Sequence, residues 1–387
     1  MSFLNRYLFL NYIKKLMKKL SFIYLILFSF NIFCQDENPP KIINEIKVNY
    51  KTEIIIDGID IPWGMDFISS KEILVTEKSG TLYRFVNGEK VVITGIPKAY
   101  VRGQGGLLDV AIHPDYKNNK LIYFTISSQQ GNGSGGNTAL YIAKLLDTEI
   151  INTRLLYKAF PNTKKGQHWG SRIVFDNNGH LFFSIGDRGN RDLNPQNIEL
   201  DGGKIYRLNL DGSIPIDNPF KTKRGAKSAV YSYGHRNPQG LVIHPETGVL
   251  WEHEHGPRGG DEINLPEKGK NYGWPVITYG INYIGTTITD KTEAPGMEQP
   301  IYYWKPSIAP SGMSFLTSDV FPEWKGNLFV GSLVFEYLER LVIDNNKVIY
   351  REKILDGVGR VRNVKQGPDG HLYIGVEGKG IIKISPK

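Results

Sequence analysis

Residues that could do chemistry are gathered in five short clusters. The first is Gln167-His168-Trp169-Gly170-Ser171-Arg172. His168 is a candidate general base, because imidazole is half-ionised near neutral pH; a lone histidine ahead of a strand is more often a hydrogen-bonded structural residue. In Arg102-Gly103-Gln104-Gly105-Gly106 the glycines let backbone approach a ligand and Gln104 offers both donor and acceptor, although alone this reads as a turn. The run Tyr233-Gly234-His235-Arg236-Asn237-Pro238-Gln239-Gly240 sets an arginine fork, Arg236, beside Asn237. That pairing suits a planar, oxygen-rich ligand or a carboxylate.

The stretch from Glu254 to Glu262 mixes carboxylates with a Gly256-Pro257 kink able to aim backbone carbonyls at one point. Hard oxygen donors of this kind suit Ca²⁺. His253 and His255 raise zinc as an alternative, but they alternate with acids and have no cysteine partner, which favours calcium. Finally, Arg360 and Arg362 in Gly359-Arg360-Val361-Arg362-Asn363 would share one face of a strand. Two such guanidiniums repel unless an anion lies between them; a solvated charged face is the other reading.

The elements that carry these clusters read as strands. A turn followed by an apolar run recurs at Ile73, Leu121, Leu181, Leu250, Leu328 and Leu372, with spacings of 48, 60, 69, 78 and 44 residues. A second strand signal follows several of them, as in Gly80–Phe85, Ala139–Ile142, Gly203–Leu208, Leu338–Val342 and Gly380–Ile384. No helical period is sustained between them. Six copies at lengths suited to four-stranded blades predict an all-β fold, a six-bladed β-propeller, over a β-sandwich or solenoid. An unpaired edge would invite aggregation, so Thr52–Ile56 is expected to complete the last blade. The long gap between Leu250 and Leu328 should carry inserted loops, where a ligand site is expected.

The N-terminus stands apart. Lys14, Lys15, Lys18 and Lys19 precede an apolar run from Phe22 to Phe33, and Asp36, Glu37 and Pro39-Pro40 follow. Residues 1–35 are therefore expected to be a secretory signal peptide, 36–50 a linker, and 51–387 the propeller domain. The apolar run is short for a transmembrane span, so none is expected in the mature chain. Removing 1–35 takes away five cations and no acids, which lowers the formal net charge from +8 to +3 (8 − 5). A nucleic-acid partner is excluded on that ground. Cys34 is the only cysteine, so the mature chain carries no disulfide. Lipidation at Cys34 is disfavoured because Asn31-Ile32-Phe33 lacks small residues, leaving a periplasmic or secreted location.

Taken in order, Gln104 in its glycine loop, His168 before Gly170, Gly234–Gly240, His255–Asn264, Asn271-Tyr272-Gly273-Trp274-Pro275, Pro306–Gly312 and Arg360-Val361-Arg362 resemble the soluble aldose sugar dehydrogenases of the glucose/sorbosone dehydrogenase family. Those enzymes use pyrroloquinoline quinone, and the resemblance spans about Ile54 to Ser385. It implies the six-bladed propeller independently. It also implies that His168 takes a proton from an aldose hydroxyl as hydride passes to the quinone, for later delivery to an unidentified electron acceptor. By the same resemblance Gln104, Arg236 and Asn237 contact the cofactor, Arg360 and Arg362 bind its carboxylates, and Tyr283 and Trp304 form aromatic walls. Carbonyls of Gly256 and Pro257 would hold a calcium ion beneath the quinone, and Glu262 and Tyr272 a second, structural one. The chain departs from the family in two places. Val334 follows Gly331-Ser332-Leu333 where a lysine is common, with Arg340 further along, and Gln167 precedes the base where glucose-specific members carry an acid. A calcium-dependent propeller lactonase and a non-catalytic binding propeller are the alternatives.

Overall fold

The computed structural model describes residues 48–387. The expected signal peptide, most of the linker and Cys34 lie outside the described residues. Six four-stranded antiparallel sheets follow one another along the chain. Blade 1 spans residues 62–93, blade 2 spans 107–158, blade 3 spans 173–233, blade 4 spans 238–304 and blade 5 spans 310–354. Blade 6 takes three strands from 361–386, and its fourth is Tyr50–Ile56, antiparallel to Gly380–Pro386 with Thr52 opposite Ile384. The closing strand anticipated at Thr52–Ile56 is thus present and two residues longer, beginning at the last residue of the expected linker. The first strand of every blade packs against the first strands of both neighbours, which makes a closed inner ring.

Each of the six apolar runs that mark the repeat lies on the second strand of its blade. These strands are buried on both faces, as in Glu72–Glu77 and Leu372–Val376, because a blade is sandwiched between two others. Burial on both sides demands a continuous apolar run rather than strict alternation. Gly179 and Gly326, each just ahead of such a strand, have φ of 81°, a left-handed turn conformation that costs glycine little.

The core is six wedges between blades instead of one central mass. Leu74 and Leu82 meet Val110 and Phe124 between blades 1 and 2, and Tyr123 and Leu140 meet Phe183 and Tyr206 between blades 2 and 3. Comparable clusters fill the wedges between 4 and 5, 5 and 6, and 6 and 1. Between blades 3 and 4 only Phe182, Ile205, Leu241 and Leu250 form the buried apolar cluster. The 265–301 stretch of blade 4 is the long insertion expected there, between its third and fourth strands. Among the described residues, the one α-helix is the single turn Tyr116–Asn119, and no helix is long and apolar enough to cross a membrane.

Candidate active site

A cavity of about 410 Å³ opens where the inner strands begin, and every blade or the link leading to it contributes to its lining. Trp63, Gln104, Trp169, Gln239, Arg360 and Arg362 come from five different places in the chain, yet the ring brings them together. Its floor is fixed by Arg172, at 4 % exposure. The guanidinium donates to the carbonyls of Trp63 (3.1 Å), Gln239 (2.7 Å) and Arg362 (2.7 Å), lies 4.0 Å from the Trp63 ring centroid, and has Asp109 at 3.4 Å. One side chain thereby ties blades 1, 4 and 6 across the axis. Charge-assisted bonds to three carbonyls suit the five donors of arginine.

His168 stands beside this cavity, between Gln104 and Trp169. Its backbone is left-handed (φ 57°), which costs a non-glycine residue about 1–3 kcal/mol and must be held by its surroundings. Two contacts hold it. The His168 N–H donates to Gln104 Oε1 at 2.8 Å, and Nδ1 lies 2.6 Å from Asp187 Oδ1. Asp187 is buried and also accepts from Gly189 N (2.6 Å) and Trp274 Nε1 (2.9 Å). Burial opposes its charge, but the bond from His168 and the nearby Arg236 outweigh burial and hold its pKa below the ordinary value. A carboxylate that stays ionised can only accept, so Nδ1 carries the proton and Nε2 is left as the free base. Burial, then the positive charge of Arg236, lowers the His168 pKa despite Asp187. The imidazole is therefore neutral at neutral pH. The sequence reading missed Asp187; its signal was an acid in the tight turn Gly186-Asp187-Arg188-Gly189 directly after a buried strand.

The anion expected between the paired arginines belongs to the chain itself. Glu377 bonds Arg360 Nε at 2.8 Å and Arg362 Nε at 3.1 Å, with a further contact to Arg362 Nη2. Arg360 Nη1 donates to Leu333 O at 2.9 Å. Arg360 Nη2 and Arg362 Nη1 have no partner among the described residues, so the triad keeps net positive charge and free donors for an incoming carboxylate. Lys78, whose Nζ lies 3.0 Å from Gly103 O, adds a third cation to the lining. Arg340 adds nothing there: it bonds Glu352 and Asn327. Val334 is exposed beside the cavity-lining Leu333.

Other anticipated residues divide. Tyr283 lines the cavity and is 70 % exposed. Arg236 and Asn237 are buried behind it: Arg236 Nη1 donates to His255 O at 2.9 Å, and Asn237 Oδ1 accepts from Gly170 N at 3.1 Å. Trp304 is not brought to the cavity. It is fully buried, with Nε1 donating to Glu339 at 2.7 Å, because the strand Tyr302–Trp304 is the outer one of blade 4. At the Gly256-Pro257 kink, Gly256 N donates to Asp261 at 2.7 Å and Pro257 O accepts from Ser307 at 3.3 Å. The Gly256 carbonyl accepts no hydrogen bond among the described residues, which leaves it open to an ion. A Cβ on Gly256 would lie 2.1 Å from Gly260 O, so only glycine fits the kink. Glu262 Oε2 accepts from Asn264 Nδ2 at 3.4 Å. The Tyr272 hydroxyl bonds Leu265 O (2.5 Å) and Glu267 N (2.9 Å), and its ring stacks on His235. The zinc alternative loses both its histidines, since His253 and His255 face backbone carbonyls of Gly312 and Pro310.

An arginine-flanked cavity of this size, with tryptophans in its lining, fits a planar polycarboxylate. Residues 59–383 match the glucose/sorbosone dehydrogenase family model. The aldose sugar dehydrogenase YliI of Escherichia coli (strain K12) is 41% identical over 345 residues, covering 87% of this chain and 92% of that protein. The structure of the soluble aldose sugar dehydrogenase from Escherichia coli in the apo-form superposes with a TM-score of 0.84 at 38% identity, covering 87% of this chain and 100% of that one. The PQQ-bound form of the aldose sugar dehydrogenase from Streptomyces coelicolor gives a TM-score of 0.71 at 25% identity, covering 88% and 99%.

Proposed function

This chain belongs to the glucose/sorbosone dehydrogenase family and is a sugar dehydrogenase, and from that premise we propose that it oxidises aldoses at C1 to lactones, using pyrroloquinoline quinone and Ca²⁺. The observation that carries the reading is His168, held by Asp187 as a neutral base beside an arginine-flanked cavity. When bound, the quinone supplies a two-electron hydride acceptor, and calcium beside it supplies a Lewis acid. Arg360 and Arg362 anchor its carboxylates, and the Gly256 and Pro257 carbonyls offer ligands for the ion. Arg236, bonded to His255 O, and Asn237, bonded to Gly170 N, hold the walls around them.

His168 Nε2 accepts the proton of the anomeric hydroxyl while the C1–H bond breaks with its electron pair and the C1–O double bond forms. Asp187 keeps Nδ1–H in place and stabilises the imidazolium that results. A separate acceptor must then remove two electrons. The open cavity and Gln167, an amide rather than an acid in the chain position just before the base, support aldoses broadly over glucose alone. The basic and apolar N-terminal segment supports export, to the periplasm or beyond it.

The test is reconstitution. Purified protein with pyrroloquinoline quinone and Ca²⁺ should reduce a redox dye on addition of aldoses, and His168→Ala should still bind the cofactor, read by its absorbance, while losing turnover. Absence of dye reduction across a wide sugar panel, together with no cofactor binding, refutes the reading.

A further inference from the structure

Asp187 is not alone in its turn in reaching the base. The next residue, Arg188, is buried at 1 % exposure. Its guanidinium bonds two carbonyls, Nη1 to Gln167 O and Nη2 to Lys165 O (2.8 Å), while Nε has no partner. Burial lowers its pKa to about 9, which leaves it charged at neutral pH. A buried charge with no carboxylate bonded to it is costly, and a methionine would fill similar space without that cost. The backbone is strained as well. Arg188 is left-handed (φ 58°), and so are His168 (57°) and Ser171 (89°) in the turn it bonds. Strain at non-glycine residues persists only where the surroundings over-determine it, and it gathers at functional sites.

The two turns over-determine each other. The fork of Arg188 holds the backbone just ahead of His168, and Lys165 Nζ returns to Gly189 O at 2.5 Å. The same guanidinium carbon lies 3.3 Å from the ring centroid of Trp169, the residue just after His168. One side chain therefore grips the chain on both sides of the base. Trp169 passes the contact on. Its Nε1 bonds Gly166 O at 3.0 Å, the carbonyl that also accepts Gln104 N at 2.8 Å. Gly105 lies so close to the ring that a Cβ there would stand 2.6 Å from Cε2. Gln104 Oε1 in turn accepts the His168 N–H at 2.8 Å. The path from Arg188 through Trp169 and the glycine loop thus closes on His168.

We infer that Arg188 is a positioning residue: it clamps residues 165–169 onto the glycine loop and so aims His168 Nε2, while Asp187 sets the tautomer of that ring. This rests on His168 being the base, as proposed above. Bonding two carbonyls while stacking flat on an indole is work for a planar fork, which lysine cannot repeat.

Arg188→Lys tests the clamp, because it keeps the charge and loses the fork and the flat stack. With quinone and Ca²⁺ loaded and aldose saturating, kcat should fall about 10²-fold, the cost of a small misplacement at a reacting centre, with KM little changed. In a His168→Ala background the same substitution should leave kcat where it was, since nothing remains to be aimed. Hydrogen exchange of the cofactor-free protein reads the clamp without turnover. The N–H groups of Gln104 and His168 should exchange faster in Arg188→Lys, with the apolar wedge around Phe183 protected as before. Unchanged kcat, or an equal loss of kcat in both backgrounds, overturns the inference. So does unchanged exchange at Gln104 and His168, or faster exchange throughout the chain, which would make Arg188 general support for the fold. If Arg188→Lys does not fold, Arg188→Met, which keeps bulk against Trp169, carries the same measurements. Full turnover by His168→Ala would refute the general base instead, and the exchange measurement alone would then decide the clamp.

Discussion

Blade 3 has two unlike flanks. Towards blade 2 it presents Phe183 and Tyr206, stacked at 4.9 Å, in a wedge of thirteen buried apolar residues. Towards blade 4 it presents Phe182 and Ile205 to only two buried apolar partners, and the remaining space goes to His235, Glu252, Glu254 and Asn264. The same repeat, built from the same kind of strands, therefore spends one flank on cohesion and the other on polar groups. The second flank lies directly under the residues that set the charge around His168. A closed ring permits this, because the other wedges keep blade 4 in place while one is given over to chemistry.

The largest effects expected are opposite in kind on the two flanks. His168→Ala should cut kcat by about 10²–10⁴-fold, the usual worth of a positioned general base, with little change in the unfolding midpoint. Phe183→Ala in the apolar wedge should cost about 3–5 kcal/mol in denaturant unfolding, while the fraction that remains folded turns over normally. A large loss of stability in the first variant, or of kcat in the second, would break the separation. Asp187→Asn should come next. The ring loses its orienting carboxylate, and kcat should fall by about 10²-fold or more.

That pair also sets the pH profile. The base must be unprotonated, and burial followed by Arg236 lowers its pKa, so the acid limb of kcat should have its midpoint below 6.5. Asp187 acts the other way and raises the pKa of His168. In Asp187→Asn the residual activity should therefore persist to lower pH than in the wild type. Movement of the limb to higher pH would mean that the charge on Asp187 does not reach the imidazole.

How much of this contrast could be read from the chain depended on what each residue had to satisfy. Second strands announce themselves, since two buried faces require an unbroken apolar run, and all six were placed by it. The third strand of blade 4, Asp261–Asn264, did not, because three of its four residues are polar and it reads as a ligand loop. Arg360 and Arg362 called for an anion, and the ring supplied Glu377, fifteen residues beyond Arg362 and across a strand pair. Spacing alone could not name it. Asp187 escaped for the same reason: an acid in a glycine turn acquires meaning only when the ring folds it onto His168. Trp304 shows the opposite error, an aromatic residue matched by motif but pointed into the core by its place in the blade.

Glu254 tests the polar flank at moderate cost. Glu254→Gln keeps shape and one acceptor oxygen but removes the charge that receives the Arg236 and Asn237 N–H groups. Weakening charge-assisted bonds of this sort should cost about 1–3 kcal/mol. The loss should show in cofactor affinity as well as Tm, because the link carrying Arg236 and Asn237 loosens. A variant with lower Tm and unchanged cofactor affinity would confine the acids to a structural role and dissolve the link between the polar flank and the site.

The smallest effect is expected outside both flanks, at Val334 of blade 5. This side chain is exposed beside Leu333, whose carbonyl accepts from Arg360. Val334→Lys adds a cation near Arg360 and Arg362 without entering any wedge, so stability should not change measurably. Solvent-exposed charge pairs contribute roughly 0.2–1 kcal/mol, which corresponds to a few-fold tighter binding of a polycarboxylate quinone and a gain that shrinks as salt is added. Titration of the apo protein at low and high ionic strength reads both. A gain far larger than this would show that Glu377 leaves the arginine pair too nearly neutral to anchor a carboxylate alone. No gain at low salt would show that residue 334 lies too far from the bound anion to matter, and that Lys78, already in the lining, supplies the third positive charge.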